Sequence, residues 1–286
     1  MELVFIQILN GLQYGLLIFL IASGLTLVFG MMGVINLAHG SFYMLGAYFA
    51  LTLTGLFGDI FIALLVGVPL AFCFGVLIEW LFIRHLYSRE HLQQVLLTFG
   101  LILIFNELQR ILWGTRPMSV PIPRYLAGSI PLSDVLSYPV YRLAVAAICV
   151  LLALAMMFVI QKTKVGRMIR AGESNPEMVE ALGIDSRLLF RFVFAAGVAL
   201  AAAAGMIAAP IESVYPGIGE HVLIISFVVV VIGGIGSVKG AFAGALLIGL
   251  ADAFGKVFLP QFASMVVYAL MAAVLVARPG GLFGRA

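Results

Sequence analysis

The sequence predicts an all-α fold, a polytopic membrane helix bundle of about 8–9 membrane segments with Gly-broken or re-entrant helices. Three observations carry that prediction. Of 286 residues, 63% are hydrophobic and only 10% are charged, whereas a soluble domain carries about a quarter charged residues. The apolar residues lie in continuous runs, not in the alternation of a membrane β-strand. Glycine occurs 31 times, and membrane helices use it for close approach. A mean hydropathy of +1.17 agrees with lipid as the main solvent. The whole chain, 1–286, reads as a single transmembrane domain.

A spanning helix needs about 20 mostly apolar residues. Runs of that size lie at 4–30, 61–83, 92–113, 140–160 and 189–210, and shorter or Gly-broken ones at 41–56, 221–236, 240–258 and 262–277. Backbone groups in lipid must be satisfied within the segment, so the runs should be helices. The chain opens Met1-Glu2 with no basic stretch and no small-residue cleavage site, so 4–30 reads as a first span and not a removed signal. Basic residues cluster at 84–91 (Arg84, Arg89), at 162–191 (Lys162, Lys164, Arg167, Arg170, Arg187, Arg191) and in the tail (Arg278, Arg285). Alternating segments put all three on one side, which should be the cytoplasm. The stretch 114–139 falls on the other side. Its five prolines, Pro117, Pro121, Pro123, Pro131 and Pro139, make it a rigid non-helical excursion. Nine spans put the N-terminus outside and the C-terminus inside; eight require one re-entrant run.

Composition excludes several functions. A net charge of +3 offers no electrostatic footprint for nucleic acid. Cys73 and Cys149 sit within apolar runs as small hydrophobes. The four histidines, His39, His85, His91 and His221, lack metal-ligand spacing, so no metal site is expected. There is no nucleophile elbow and no catalytic constellation. Lys239 and Lys256 follow or precede glycines, but neither stands in a Walker A order. The chain therefore reads as a non-enzyme without a nucleotide site or a cofactor of its own.

Three segments could carry function. In the first, Asn36 and His39 interrupt an apolar stretch between Gly30, Gly33 and Gly40, followed by Ser41. Polar groups in lipid are costly and should face protein or a wet path. The segment reads either as a translocation-path or gate element, or as a turn in which Asn36 caps a helix and His39 is solvated. The second is the charged stretch 162–191. In it Ser174 with Glu177 fits a capping box, or Asn175 caps with Pro176 at the first helical position. Gly183 fits a helix stop. The short helix between would put Met178, Val179 and Leu182 on one face and Glu177 and Glu180 on another, and so wants a partner groove. The third is Gly233 to Gly240, including Gly234, Gly236 and Ser237, read either as a re-entrant turn lining a path or as a tight turn joining two spans. Glycine, isoleucine and phenylalanine recur in register between 33–42 and 233–242, which hints at an internal repeat. Elsewhere, Asp252 and Lys256 are spaced to pair on one helix, Glu79 lies near Arg84 at a membrane edge, and Asn106, Glu107, Gln109 and Arg110 cluster near the outer end of their run.

These residues resemble one family. The run from Gly24 through Asn36-Leu-Ala-His39-Gly40-Ser41 to Tyr48 is similar to the N-terminal signature of LivH-type permeases, membrane subunits of branched-chain (hydrophobic) amino acid ABC importers. The segments from Gly166 to Asp185 and from Gly205 to Gly244 resemble their cytoplasmic loop and C-terminal signature. The resemblance implies alternating access in a heteromeric complex. That complex would hold a second, LivM-like permease, two ABC ATPase subunits carrying ATP-Mg, and a periplasmic solute-binding protein, in a bacterial inner membrane. The path would run by Asn36, His39, Gly40, Ser41, Gly234, Gly236 and Ser237. The ATPase-coupling surface would comprise Glu173, Asn175, Pro176, Glu177, Met178, Ala181, Leu182 and Gly183. Relatives with similar signatures carry urea, short amides or other small solutes. A transporter or channel working alone, or a membrane-embedded enzyme, are the rival readings.

Overall fold

A computed structural model describes residues 2–87, 89–131, 137–181 and 183–284, with Pro176 and Glu177 described in backbone only. All nine apolar runs are helices: α1 (Glu2–Met32), α2 (His39–Phe57), α3 (Ile60–Leu81), α4 (His91–Trp113), α5 (Val140–Lys162), α8 (Ser186–Ala208), α9 (Ile218–Gly233), α10 (Val238–Phe258) and α11 (Ala263–Ala277). Two short helices, α6 (Lys164–Ser174) and α7 (Pro176–Ala181), stand between α5 and α8. Among the described residues, eight segments are long and apolar enough to cross a membrane; α9, with 16 residues, is shorter. The chain is a multi-pass helical membrane protein.

Local chemistry sets the helix ends. Gly58, at φ +75°, closes α2, and Asp59 accepts the N–H groups of Phe61 (2.7 Å) and Ile62 (3.4 Å) to open α3; side-chain acceptors there satisfy otherwise orphaned donors. The Tyr125 hydroxyl, 2.6 Å away, and those N–H groups hold the Asp59 carboxyl below its ordinary range. Thr163, Asp185 and Ser237 cap α6, α8 and α10 in the same way. Among its described residues the excursion 114–139 is mainly extended, with one 3-10 turn and strands β1 (Ser129–Pro131) and β2 (Ser137–Pro139), antiparallel, pairing Ile130 with Tyr138.

The helices alternate in direction. One end of the bundle gathers the α3–α4 connection, α6, α7, the α9–α10 turn and the C-terminal tail, so the basic segments do share one side. Met31 packs on Gly172 there, and Gly236 on Gly30. The opposite end holds 114–139, where Met118 bridges Val214 and Tyr138 and Arg142 reach Asn10.

Helix α1 is the axis of the bundle. It packs on α10 through glycines: a Cβ on Gly11 would stand 2.9 Å from the Leu250 Cα, and one on Gly15 would stand 2.8 Å from the Ala245 oxygen. Small residues let two backbones meet where no hydrophobic effect drives helices together. Phe42 of α2 anchors the other half, edge-on to Phe105 and Phe194 at 5.8 and 5.9 Å between centroids. Glu79 is fully buried but its partner is not Arg84, which instead lies over the Trp80 ring. Arg191 of α8 reaches Glu79 at 2.7 Å and the Tyr87 hydroxyl donates to it at 2.6 Å. Arg84 and Glu79 are close in sequence, but α3 ends between them and turns Arg84 outward. Breaking such a buried pair by removing one partner costs about 3–5 kcal/mol.

Candidate functional site

After α1 ends, residues 33–38 turn back along it without forming helix. The His39 Nε2 lies 3.0 Å from the Ile21 carbonyl, eleven residues short of the α1 end. At 1.5 Å per residue α2 therefore begins about 16 Å inside the bundle. The carbonyl can only accept, so Nε2 carries the proton. His39 is 1% exposed and thus packed, not solvated. Asn36 closes an Asx turn ahead of α2, its Oδ1 accepting the Ala38 N–H at 3.1 Å; the cap position itself is Ala38, which makes no side-chain cap bond, and the Asn36 Nδ2 has no partner among the described residues. The Ile35 N–H donates to Gln94 of α4 at 3.1 Å. Ser41 is buried. Gly40 meets the backbone of Gly219 at the start of α9; a Cβ would strike the Gly219 oxygen and stand 2.8 Å from the Leu223 Cβ.

The glycine run 233–240 is a tight turn between α9 and α10. Gly234 and Gly236 have φ of +95° and +79°, which glycine adopts without steric cost. Ser237 accepts the Gly240 N–H at 3.1 Å and caps α10. The tail clamps the turn, Leu282 and Phe283 donating to the carbonyls of Ile232 (2.8 Å) and Gly233 (3.0 Å). Gly236 and Ser237 line a cavity of about 930 Å³ with Gly30, Arg170, Glu173 and Lys239. A Cβ on Gly236 would stand 3.3 Å from Glu173 Oε1. The charged segment thus lies beside the glycine turn, on the wall of the same cavity. Asn36, His39, Gly40 and Ser41 do not line this cavity, and Gly234 sits behind it, packed on Gly284.

Between α6 and α7, Asn175 is the cap: its Oδ1 accepts the Met178 N–H at 3.0 Å. That favours the Asn175–Pro176 start over a Ser174–Glu177 box, since Ser174 is still the last residue of α6. Gly183, at φ +81°, stops α7, its N–H bonding the Glu180 carbonyl at 2.9 Å. Glu180 is tied to Ser186. The faces differ from expectation. Val179 is 2% exposed but Met178 is 57% exposed, because adjacent residues on a helix point about 100° apart. Ala181 is exposed, and Leu182 lies outside the described residues.

A second cavity, of about 300 Å³, was not indicated by any motif. Tyr14 of α1, Tyr43 of α2, Glu212 and Tyr215 of the α8–α9 connection, His221 of α9 and Lys256 of α10 converge on it. Glu212 Oε2 accepts from the Tyr43 hydroxyl at 3.0 Å. Lys256 pairs with Asp252 at 2.6 Å, as the spacing of four predicts, and lies 5.3 Å over the Tyr14 ring. The outer cluster of α4 divides differently: Asn106 donates to Glu220 at 2.6 Å, Glu107 pairs with Arg110, and Gln109 is buried.

Comparison with known proteins bears on this arrangement. The family model described as "Branched-chain amino acid transport system / permease component" matches residues 7–275. The chain is 33% identical to the high-affinity branched-chain amino acid transport system permease protein BraD of Pseudomonas aeruginosa, over 98% of this chain and 95% of that one. It is 31% identical to the permease protein LivH of Escherichia coli over the same shares. It is 29% identical to the probable LivH of Methanocaldococcus jannaschii, over 97% and 92%. No solved structure matches. With signatures at both ends and a match along almost its entire length, the chain belongs to the branched-chain amino acid transport system permease family.

Proposed function

We propose that this chain is the permease subunit of an ATP-driven importer for branched-chain or other small hydrophobic amino acids in a bacterial inner membrane. Its partners are a second, LivM-like permease, two ATPase subunits that hold ATP-Mg, and a periplasmic solute-binding protein. The observation that supports this reading is the closeness of Glu173 to Gly236 across the wall of the 930 Å³ cavity. It sets the charged segment at the basic end beside the turn between two spanning helices. A push on α6 and α7 from outside the membrane would then be felt first at the short turn that joins α9 to α10. Val179 and Ile169, both buried, root the two short helices in the bundle, while Met178 and Ala181 face outward for a docked partner. Alternating access follows if that push shifts α9 and α10 against α1 and α2, which meet them at Gly30, Gly40 and Gly219.

Reconstitution of the four kinds of subunit in vesicles tests the reading. Leucine uptake that requires ATP and the binding protein is expected. Uptake by this chain alone would replace the reading with that of a stand-alone transporter. Ala181→Trp should reduce ATPase stimulation and uptake together while leaving the detergent-extracted permease monodisperse. Wild-type values for both in that variant would remove α7 from the coupling surface.

A further inference from the structure

The 300 Å³ cavity lies on the far side of the His39–Ile21 contact from the basic end, for Ile21 both lines it and accepts the histidine bond. Its size is at the lower limit of about 300–1,000 Å³ for small-molecule sites, room for one small solute. Its walls are of two kinds. Leu17, Ile18, Ile21, Val222 and Ile225 make an aliphatic side drawn from α1 and α9. Glu212 and Lys256 supply opposite charges, with tyrosine hydroxyls near them.

Each charge has spare capacity. Glu212 uses Oε2 for Tyr43, and its Oε1 accepts no hydrogen bond among the described residues. An ammonium has three donors, and Asp252 takes one of those on Lys256. Intramembrane charges are expensive and mark solute paths. A neutral solute such as urea or an amide would bring no charge to the spare Glu212 oxygen or the spare Lys256 donors and gain nothing from the aliphatic wall. A free amine or a free acid would answer one charge only.

We infer that this cavity is the permease's own solute site and that it selects zwitterionic aliphatic α-amino acids. The α-ammonium sits on Glu212, the α-carboxylate on Lys256, and the side chain against the α1–α9 wall. This rests on the importer reading and names the site where the solute pauses after its binding protein releases it. His39, one layer deeper, holds α2 against α1 beneath it.

Photo-leucine, an L-leucine analogue with a diazirine on its side chain, tests the assignment in the complete importer in nanodiscs. The label should fall within 14–25 and 218–225. Excess L-leucine should protect these peptides; 3-methylbutylamine and 4-methylpentanoate, each lacking one charge, should not. Glu212→Gln, which keeps the acceptor for Tyr43, and Lys256→Met should each cut labelling and leucine uptake at least tenfold while the assembled complex stays intact. Labelling elsewhere, protection by either one-charge analogue as good as by leucine, or wild-type labelling in both variants would overturn the site. If wild-type vesicles accumulate leucine while the label misses the cavity, only the site fails. Vesicles that accumulate none overturn the importer reading and the site with it.

Discussion

Two glycine-marked breaks, 33–38 and 234–237, separate helices in the same way yet do opposite work. The first is drawn deep into the bundle. Asn36, Ala38 and His39 are almost wholly buried, and α2 starts about 16 Å below the end of α1. The second stays at the basic end, with Ile235 58% exposed and Gly236 and Ser237 lining an open cavity. The cause is the polar residue each carries. Asn36 Oδ1 takes the Ala38 N–H and His39 bonds the Ile21 carbonyl, so most of the first break's polar groups are answered within the bundle, the Asn36 Nδ2 remaining without a partner among the described residues. In the second, Ser237 only caps its helix and Lys239 needs solvent. A shared glycine pattern therefore specifies helix, break, helix, and the side chains between decide the depth.

The largest test of that contrast is Gly40→Leu. Its side chain would occupy the backbone of Gly219, so the purified chain should lose its monodisperse peak, whereas Gly55→Leu, at a position with open space, should keep it. Survival of Gly40→Leu would mean that the deep break is not a fixed contact. Next in size is His39→Ala, which removes a buried hydrogen bond and leaves a void, at about 1–3 kcal/mol. Thermal unfolding in detergent should show it as a midpoint lower by several degrees. Ser237→Ala at the shallow break loses one cap, worth about 1 kcal/mol, and the same melt should fall less than for His39→Ala. The smallest stability effect is expected for Glu173→Gln, within about 0.5 kcal/mol as for surface changes generally. Its signature is functional: uptake per ATP hydrolysed should drop, and an unchanged ratio would detach the charged segment from the shallow break.

Much of the molecule was legible before folding was considered. Nine apolar runs became nine helices with boundaries shifted by a few residues, because run length and hydropathy are local properties and lipid permits one backbone solution. Asn175, Gly183 and the Asp252–Lys256 pair were readable for the same reason: a cap, a stop and a spacing of four act within one helix. Glu79 was not, since its partner Arg191 comes from a helix far along the chain. Met178 and Val179 do not share the one face that the apolar pattern suggests, since neighbouring residues on a helix diverge by about 100°. Glu212, Tyr43, Tyr14 and His221 carry no shared spacing at all, and the spacing of Lys256 points only to its pairing with Asp252.

By itself the sequence determined the solvent, the helical kind of the segments and their places along the chain, the side on which the basic residues gather and the family signatures. Those follow from composition and from order along the chain. Only the tertiary structure decided how deep each break lies, which charge meets which, and where a solute of opposite charges could rest. Such features arise where distant segments meet across a few ångströms, and glycine contacts between helices, not any motif, set which segments those are.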